Sequence, residues 1–445
     1  MTELKKGLSL YGLIMIAIGA CIGSGIFLTP SQIAGHIHTP ASILAVWGVG
    51  GVIALTGALT FAELGGLFKG SGGIYVYLKE AYGNLWGFWY GWASLLVVNT
   101  GAIAALSIAC ASYLNFIFHF GDTGIIIVAA ASIILLTVIN VIGVSYAELF
   151  SNVFTGIKLL GILFIILVGI AYSLPHSEPD VANIPQETSS AAHGFFLALI
   201  GVIWSYGGWQ HTTFLAGETA RPRRNIPIAM VIGATVVTIT YMLCNYAYMQ
   251  LLPVAEIASS PSVAADAISK VFSFGGTLIA IMIAISTFGT AGIYTLTAPR
   301  IYHAMAKDGL FFPQLATVHP KYKTPMNAIF AQSGWSIVLL LFWGTFEDVI
   351  IYVTFIDWIF MIMAAVSIFI FRKRMKDADR SYKVHLYPII PLVFIIISSV
   401  FILNTLIGAP VQAGAGIILM ILGLPVYYWF KKAGLKSKSD RLLNR

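Results

Sequence analysis

The sequence predicts an all-α integral membrane protein with 12 transmembrane helices. Of the 445 residues, 58% are hydrophobic and only 10% are charged, whereas about a quarter of a soluble chain is charged. The apolar residues are grouped in long uninterrupted runs, and the basic residues are concentrated in alternate connections between those runs. These three observations indicate a polytopic membrane protein rather than a soluble domain.

Each apolar run has the length, roughly 20 residues, that an α-helix needs to cross the hydrocarbon core of a bilayer. The ninth and tenth runs are almost continuous, and we separate them at Gly344 to Asp348. The longest connections are 174–193 and 300–326. The predicted spans are 9–33, 41–66, 84–115, 124–144, 148–173, 194–217, 226–251, 272–299, 327–345, 347–371, 386–407 and 411–430.

The basic residues predict the orientation. Apart from Lys158 and Lys270, all 25 Lys and Arg residues lie in the two tails or in connections on one side of the predicted membrane. Because positive charge is retained in the cytoplasm, we expect both termini to be cytoplasmic. The net charge of +7 therefore reflects orientation and forms no continuous basic patch, so we expect no nucleic-acid partner.

Small residues interrupt the first predicted span. Gly23, Ser24 and Gly25 are consecutive within an apolar run, and glycine weakens a helix by about 1 kcal/mol relative to alanine. A helix that restarts here presents free N–H groups and a positive dipole end, which suit a carboxylate. The alternative is a small-residue packing face, although consecutive positions do not share one face of a helix.

A second interruption is predicted in span 6, at Trp204-Ser-Tyr-Gly-Gly-Trp209. If the first half of this span ends here, the carbonyl groups of Trp204 and Ser205 are free to hold an ammonium group. Two interrupted spans at corresponding positions of two halves indicate the substrate site of a transporter. The pair matches the zwitterion of an α-amino acid. A glycine-hinged kink without ligand contact is the alternative.

Lys158 lies inside span 5, and an ionisable residue at that depth is a candidate functional residue. We expect its ammonium to be a fixed cation beside the carbonyls exposed by the first interruption, with hydroxyl groups such as those of Ser286 or Thr287. There it replaces a coupling Na⁺. The alternative is a side chain that snorkels to the interface, but about ten residues of helix, roughly 15 Å, separate it from the cytoplasmic end.

The remaining polar motifs are less specific. Glu218 and Arg221 or Arg224 follow span 6 and are a candidate gating pair, or simply part of an orienting loop. No phosphate-binding loop, metal-ligand cluster or catalytic triad occurs in the sequence, so we expect neither a cofactor nor an enzyme.

Several motifs together resemble the amino acid–polyamine–organocation superfamily, and within it the L-type amino acid transporters. In detail the chain is similar to the bacterial alanine-serine-cysteine and serine/threonine exchangers. The motifs are Gly19-x-x-Ile-Gly-Ser-Gly-Ile-Phe27, Gly72-Gly-Ile-Tyr-Val-Tyr77, Tyr206-Gly-Gly-Trp209, Gly217-Glu218 and Arg224-Asn-Ile-Pro227.

The resemblance implies a leucine-transporter-like fold in a single transmembrane domain, 1–445. Its 5+5 inverted repeat comprises repeat one, about 9–173, and repeat two, about 194–371, with extra helices at about 386–430. Helices 1 and 6 are broken. The implied activity is sodium-independent exchange of neutral L-amino acids by alternating access, with spans 1, 2, 6 and 7 moving against spans 3, 4, 8 and 9.

The resemblance also implies roles for individual residues. The carboxylate of the substrate binds at the first interruption, its amino group and side chain lie near the second, and a tyrosine of span 7 helps to close the cytoplasmic gate. The expected substrate-binding residues are Cys21, Ile22, Gly23, Ser24, Gly25, Trp204, Ser205 and Gly207, and the coupling or gating residues are Lys158, Ser286 and Tyr241.

Two departures from the family pattern refine this interpretation. Animal members join a glycoprotein through a cysteine after span 3, but the loop at about 116–123 has none. We therefore expect a bacterial inner-membrane carrier that contacts lipid and substrate without a disulfide-linked heavy subunit. Trp204 is bulkier than the usual phenylalanine and favours small substrates such as alanine, serine and cysteine.

Two alternative functions remain open at this stage. An H⁺- or Na⁺-coupled symporter on the same fold differs in needing an ion gradient rather than internal amino acid. A non-transporting amino acid sensor is expected to carry a signalling domain, for which the tails 1–9 and 431–445 leave no room. A channel suits closed half-helix pockets poorly.

Overall fold

The apolar runs fold into α-helices, which satisfy every backbone polar group without water. The computed structural model describes residues 4–172, 191–342, 346–408 and 410–443. In chain order the elements are α1 (Leu10–Cys21), α2 (Gly25–His36), α3 (Pro40–Leu67), α4 (Ile74–Tyr82), α5 (Asn84–Ala93), a π-helical turn (Ser94–Val98), α6 (Asn99–Phe118), α7 (Gly121–Ile142), α8 (Val144–Ala171), α9 (Ala191–Tyr206), α10 (His211–Phe214), a 3₁₀ turn (Ala216–Glu218), α11 (Pro222–Leu251), α12 (Val254–Ser259), α13 (Val263–Ser269), α14 (Gly275–Thr297), α15 (Pro299–Lys307), a second 3₁₀ turn (Pro313–Ala316), α16 (Met326–Phe342), α17 (Phe346–Arg374), α18 (Ile389–Gly408) and α19 (Pro410–Leu443).

Nine helical stretches of the described chain are long and apolar enough to cross a membrane. Their positions follow the predicted spans, and the all-helical membrane fold is confirmed at this level. The stretches are Leu10–His36, Pro40–Leu67, Asn84–Phe118, Gly121–Ile142, Val144–Ala171, Pro222–Leu251, Gly275–Lys307, Val353–Arg374 and Ile389–Ile407.

The other three predicted spans correspond to helices that are shorter or differently bounded. The sixth and ninth predicted spans contain the apolar helices Gly194–Tyr206 and Met326–Leu341, and the twelfth lies within α19. The predicted separation of spans 9 and 10 begins at Gly344, and residues 343–345 lie outside the described residues.

The two faces of α8 show how the bundle meets its surroundings. Lys158, Ile162 and Ile165 are buried on one face, whereas Leu160 and Leu163 on the other are largely exposed. Exposing an apolar stripe of a long helix to water is unfavourable, whereas exposing it to lipid has no such free-energy cost. The lysine therefore faces the protein interior and not the bilayer.

The interrupted region occupies the centre of the bundle. The helix α1 packs against α8, α11 and α14 and also contacts the short α10, and α2 packs along α9. Among the described helices, α3 and α11 pack against each other most extensively, and α14 packs against both α6 and α8. Two helical walls, one of α3 and α11 and one of α6, α8 and α14, thus enclose α1 and α10.

An N-terminal strand-like segment is attached to the connection after α10. The backbone N–H groups of Gly7 and Leu8 donate to Glu218 O at 2.9 and 3.1 Å, and Leu8 forms an isolated parallel bridge with Thr219. The same connection carries the Glu218 carboxylate into the protein interior, where it is fully buried. This segment therefore ties the start of the chain to the middle of the sequence.

Candidate functional site

The first interruption is three residues long. Residues 22–24 lie outside helix, between the end of α1 at Cys21 and the start of α2 at Gly25. The N–H groups of Ser24, Gly25 and Ile26 precede the first intrahelical bond of α2, and none of them donates to another backbone carbonyl within the described residues. These donors, at the positive end of a helix, form the kind of group that binds a carboxylate.

The side chains at this interruption are buried. Cys21, Ile22 and Ser24 are each at most 4% exposed. The Ser24 hydroxyl is buried and makes no hydrogen bond to the described chain, which is uncommon for a buried polar group. The position therefore retains an unused donor and acceptor beside the unused N–H groups.

The second interruption begins later than predicted. The helix α9 continues through Trp204 and Ser205 to Tyr206, and the turn spans residues 207–210. The helical hydrogen bonds reach this point, since Gly207 N donates to Ile203 O at 3.1 Å. Ser205 Oγ also donates back to Gly201 O at 2.8 Å. The expectation that residues 205 and 206 are part of the break is wrong, and the glycines alone carry the change of direction.

The two interruptions lie side by side, each packed against a helix end that flanks the other, and both contacts require glycine. A Cβ atom added at Gly25 lies 2.8 Å from Ser205 Cα, and one added at Gly208 lies 2.4 Å from the carbonyl carbon of Ala20. Gly208 also has φ +132°, in a region that side chains other than glycine rarely adopt. Backbone therefore packs on backbone at the centre of the bundle, which is the close packing that the sequence analysis gave as the alternative for the small residues at 23–25.

Tyr241 links the two interruptions from α11. Its buried hydroxyl lies 2.9 Å from Cys21 O and 3.0 Å from Ser205 O, and it donates to these carbonyls. The ring packs edge-on against Trp47 and Tyr206, with centroids 5.4 and 5.1 Å away. One hydroxyl thus holds the C-terminal ends of α1 and α9 at a common point.

Lys158 reaches the first interruption from α8. Its ammonium donates to Ile22 O at 2.7 Å, to Gly19 O at 3.1 Å and to Thr290 Oγ1 at 2.8 Å. The side chain is 2% exposed, and with three acceptors for its three donors it is fully hydrogen-bonded. The structure therefore places the lysine beside the carbonyl groups at the end of α1 and away from the membrane interface.

The hydroxyl groups near Lys158 come from α14. Ser286 Oγ lies 3.1 Å from Gly23 O, so it contacts the interruption as well. Thr287 instead donates within its own helix, to Ile283 O at 2.9 Å, and the partner of the lysine is Thr290. Sequence reasoning missed Thr290, although it lies four residues after Ser286 and hence on the same helical face.

A polar cavity of about 30 Å³ lies beside the second interruption. Trp204 and Gly207 line it, but none of the residues at 21–25 does, so in this conformation the two interruptions do not share one cavity. The lining residues are Tyr90, Val98, Asn99, Ile203, Trp204, Gly207, Gln210, His211, Phe214, Tyr294, Val353, Thr354, Asp357 and Trp358.

The candidate gating pair after α10 has a different partner. Glu218 forms a bidentate pair with Arg300 of α15, at 2.6 Å to Nε and 2.9 Å to Nη2, and both side chains are fully buried. Glu218 is therefore not paired with Arg221 or Arg224, which the sequence analysis gave as candidate partners. A carboxylate buried this deeply needs a cation brought to it by tertiary packing, and the loop arginines lie nearer the surface.

Comparison with known proteins connects this geometry to a family. Residues 8–430 match the sequence profile described as amino acid permease. The serine/threonine exchanger SteT of Bacillus subtilis is 33% identical over 433 residues, 96% of this chain and 98% of that protein. The b(0,+)-type amino acid transporter 1 of Mus musculus is 30% identical over 96% of this chain and 88% of its own.

A further relative, the Asc-type amino acid transporter 1 of Mus musculus, is 30% identical over 96% of this chain and 81% of its own length. These relatives are transporters or exchangers of amino acids by name, and none of the three is an enzyme. With its apolar helices and full-length match, the chain belongs to the amino acid permease family of multi-pass membrane transporters and is related to the L-type amino acid transporters.

Proposed function

We propose that this protein is a sodium-independent exchanger of small neutral L-amino acids that works by alternating access. The observation that carries the proposal is the side-by-side packing of two helix interruptions at the centre of the bundle, bridged by Tyr241. One interruption offers free N–H groups and the other offers the carbonyl end of a helix. Such opposed half-helix ends suit the carboxylate and the ammonium of an amino acid.

The proposed substrate position follows from this arrangement. The carboxylate binds at Gly23, Ser24 and Gly25, with Cys21 and Ile22 beside it, and the amino group lies towards Trp204, Ser205 and Gly207. A bound zwitterion ties the two half-helices together, so that they move as one unit. Exchange results if substrate lowers the barrier for reorientation more than it stabilises the occupied state.

Lys158 supports sodium independence. Carbonyl and hydroxyl oxygens beside an unwound helix form the ligand set by which coupled transporters hold Na⁺. Here those oxygens, on Gly19, Ile22 and Thr290, accept hydrogen bonds from the lysine ammonium. A permanent cation at this point supplies the positive charge without an ion gradient, and Ser286 completes the contact with the interruption.

The finer features of the fold belong to the same proposal. The helices α1 and α2 form one discontinuous span and α9 and α10 form another, in a leucine-transporter-like 5+5 inverted repeat. Residues of about 9–173 form repeat one, those of about 194–371 form repeat two, and two extra spans follow within about 386–430. Both termini are cytoplasmic in a bacterial inner membrane, and the carrier has no disulfide-linked heavy subunit.

The exchange proposal is tested by uptake into proteoliposomes that contain the purified protein. We expect labelled serine or alanine to enter vesicles preloaded with unlabelled serine at least about ten times faster than empty vesicles, because the occupied carrier has the lower barrier. Protein-free liposomes are the control. An inward Na⁺ or H⁺ gradient across empty vesicles is not expected to replace internal amino acid.

The outcomes separate the alternatives. Uptake into empty vesicles driven by a Na⁺ or H⁺ gradient contradicts exchange and indicates symport. Binding of an amino acid to the purified protein without flux in either direction indicates a sensor. A panel of the standard amino acids competing against labelled serine defines the substrate range, in which we expect alanine, serine, threonine and cysteine to compete best.

Replacing Tyr241 by phenylalanine tests the bridge between the interruptions. The change removes the hydroxyl that joins the two helix ends: Ser205 O loses this donor, and Cys21 O keeps only the Gly23 N–H, at 2.9 Å. We expect exchange to fall at least about tenfold. The matched control is Tyr246→Phe in the same helix, whose side chain is 44% exposed on the outer face of the bundle. Equal exchange by the two variants contradicts the role of the bridge.

A further inference from the structure

Two polar side chains of α17 line the cavity beside the second interruption and have no partner. Thr354 Oγ1 is buried and makes no hydrogen bond, and its residue is only 3% exposed. Asp357 lines the same cavity and is partly buried there, and no hydrogen bond or ion pair joins its carboxylate to the described residues. The two residues are three apart, so they lie on one helical face.

The two buried acids of the described residues both have a cationic partner. Glu63 accepts hydrogen bonds from Arg372 at 2.9 and 2.6 Å, and Glu218 holds Arg300. Buried polar groups are normally hydrogen-bonded, and an ionisable group within a membrane domain normally has a partner or a function. Packing therefore does not explain Thr354 and Asp357.

Other polar groups at the same cavity are already engaged. His211 Nδ1 lies 2.6 Å from Thr297 Oγ1, and Gln210 Oε1 accepts a hydrogen bond from Gly208 N at 2.9 Å. The groups of this cavity that are left without a hydrogen-bond partner are thus the Thr354 hydroxyl and the Asp357 carboxylate of α17. A ligand group that enters the cavity meets one group that donates and one that only accepts.

We propose that Thr354 and Asp357 form the subsite for the substrate side chain and select amino acids whose side chain carries a hydroxyl. The inference rests on the proposed transport of small amino acids. Trp204 and Gly207, expected beside the amino group of the substrate, line the same cavity. A short side chain that leaves the α-carbon towards this cavity therefore reaches α17.

A hydroxyl matches this pair better than the alternatives do. It donates to the Asp357 carboxylate and accepts from the Thr354 hydroxyl, so every group is satisfied. An ammonium only donates and leaves the threonine proton unused, and a methyl group does neither. The cavity, about 30 Å³, has room for a group of the size of one or two water molecules and not for a long side chain.

The subsite therefore discriminates serine and threonine from alanine. When alanine binds, the buried Thr354 hydroxyl and the Asp357 carboxylate beside it remain unpaired, and a site built to bind a hydroxyl penalises an analogue that lacks it. This is a difference in preference between two substrates that share the same backbone groups, so contacts of the carboxylate and the amino group at the interruptions cancel in the comparison.

The test compares serine with alanine in the purified wild type and in three variants. For Asp357→Leu we expect the ratio of serine to alanine exchange efficiency to fall at least about tenfold, the effect of losing a hydrogen bond to a charged group. Thr354→Val, which keeps the shape and removes the hydroxyl, lowers the ratio by about threefold or more. Asp357→Asn keeps an acceptor oxygen, and we expect its ratio to lie between those of Asp357→Leu and the wild type.

The matched control is Asp122→Asn, an acid exposed in the first turn of α7, for which the ratio stays at the wild-type value. Thermal stabilisation of the purified proteins by serine and by alanine gives the same comparison without transport. If the wild type binds serine better than alanine but does not exchange, the proposed function fails and the subsite stands.

Two results overturn the subsite. If Asp357→Leu and Thr354→Val lower exchange and stabilisation by serine and alanine equally, the residues are structural and not selective. If Asp357→Asn leaves the ratio unchanged but abolishes a response of uptake to an H⁺ gradient, the carboxylate carries a proton and does not recognise the side chain.

Discussion

Replacing Lys158 by alanine is expected to lower amino acid exchange at least about 100-fold while the protein still folds and inserts. The ammonium donates to two carbonyls at the end of α1 and to Thr290 of α14. Each hydrogen bond from a charged donor is worth about 1.5–3 kcal/mol. Without it, the carbonyls of the interruption lose their counter-charge and the proposed substrate site loses its fixed geometry.

Exchange in proteoliposomes, measured with substrate added from either side, checks this prediction. Gel-filtration profiles of the detergent-purified variants report whether they fold. Lys270→Ala is the control, because Lys270 forms a surface ion pair with Glu256 at 2.9 Å in which both side chains are about half exposed, and such pairs contribute little. Thr290→Val removes one of the three acceptors of Lys158, and we expect its exchange rate to lie between those of Lys158→Ala and Lys270→Ala.

Normal exchange by Lys158→Ala from both sides contradicts the sodium-surrogate role. A Na⁺ dependence acquired by the same variant supports it directly, because the vacated carbonyl and hydroxyl oxygens are then free to bind the ion.

Replacing Arg300 by methionine is expected to destabilise the protein by about 3–5 kcal/mol, since it leaves the Glu218 carboxylate buried without its cation. The pair is bidentate and fully buried, and Arg300 also donates to Leu296 O. Because Glu218 O binds the N–H groups of Gly7 and Leu8, the loss extends to the N-terminal segment. We expect the apparent melting temperature in detergent to fall by at least about 5 °C.

The control for this prediction is Arg223→Met, which breaks a pair of similar length on the surface. Arg223 lies 2.6 Å from Asp379, and these side chains are 36% and 81% exposed, so little stability depends on the pair. In the double variant Glu218→Gln/Arg300→Met most of the loss is recovered, because no unpaired charge remains. If Arg300→Met has the same apparent melting temperature as the wild type, the Glu218–Arg300 pair makes no net contribution to stability.

The sequence predicted the parts of the fold that depend on local pattern. Each predicted span corresponds to a helix because a long apolar run satisfies its own backbone in lipid whatever its neighbours are. The interruption at 22–24 was also predictable, since consecutive small residues weaken a helix locally. At the second interruption the same reasoning placed the break too early, because α9 keeps its backbone hydrogen bonds as far as Gly207 and the chain leaves the helix only at the two glycines.

Partnerships between distant residues were not predictable in the same way. Lys158 was expected near the carbonyls of the first interruption, but its hydroxyl partner was expected at Ser286 or Thr287 and is Thr290. For Glu218 the sequence offered only candidate partners in its own loop, whereas the structure pairs it with Arg300, 82 residues away. A charged residue in an apolar segment predicts that a partner exists. Which residue is the partner depends on which helices pack together.

The sequence alone therefore determined that this chain is a helical membrane protein with glycine-rich interruptions, because hydrophobic length and helix propensity act over one turn or one span. Only the tertiary structure decided that Tyr241 joins the two interruptions and that Thr354 and Asp357 face the cavity at the second. Those contacts depend on how α11 and α17 are rotated and stacked against α1 and α9, and rotation is set by packing among all the helices at once.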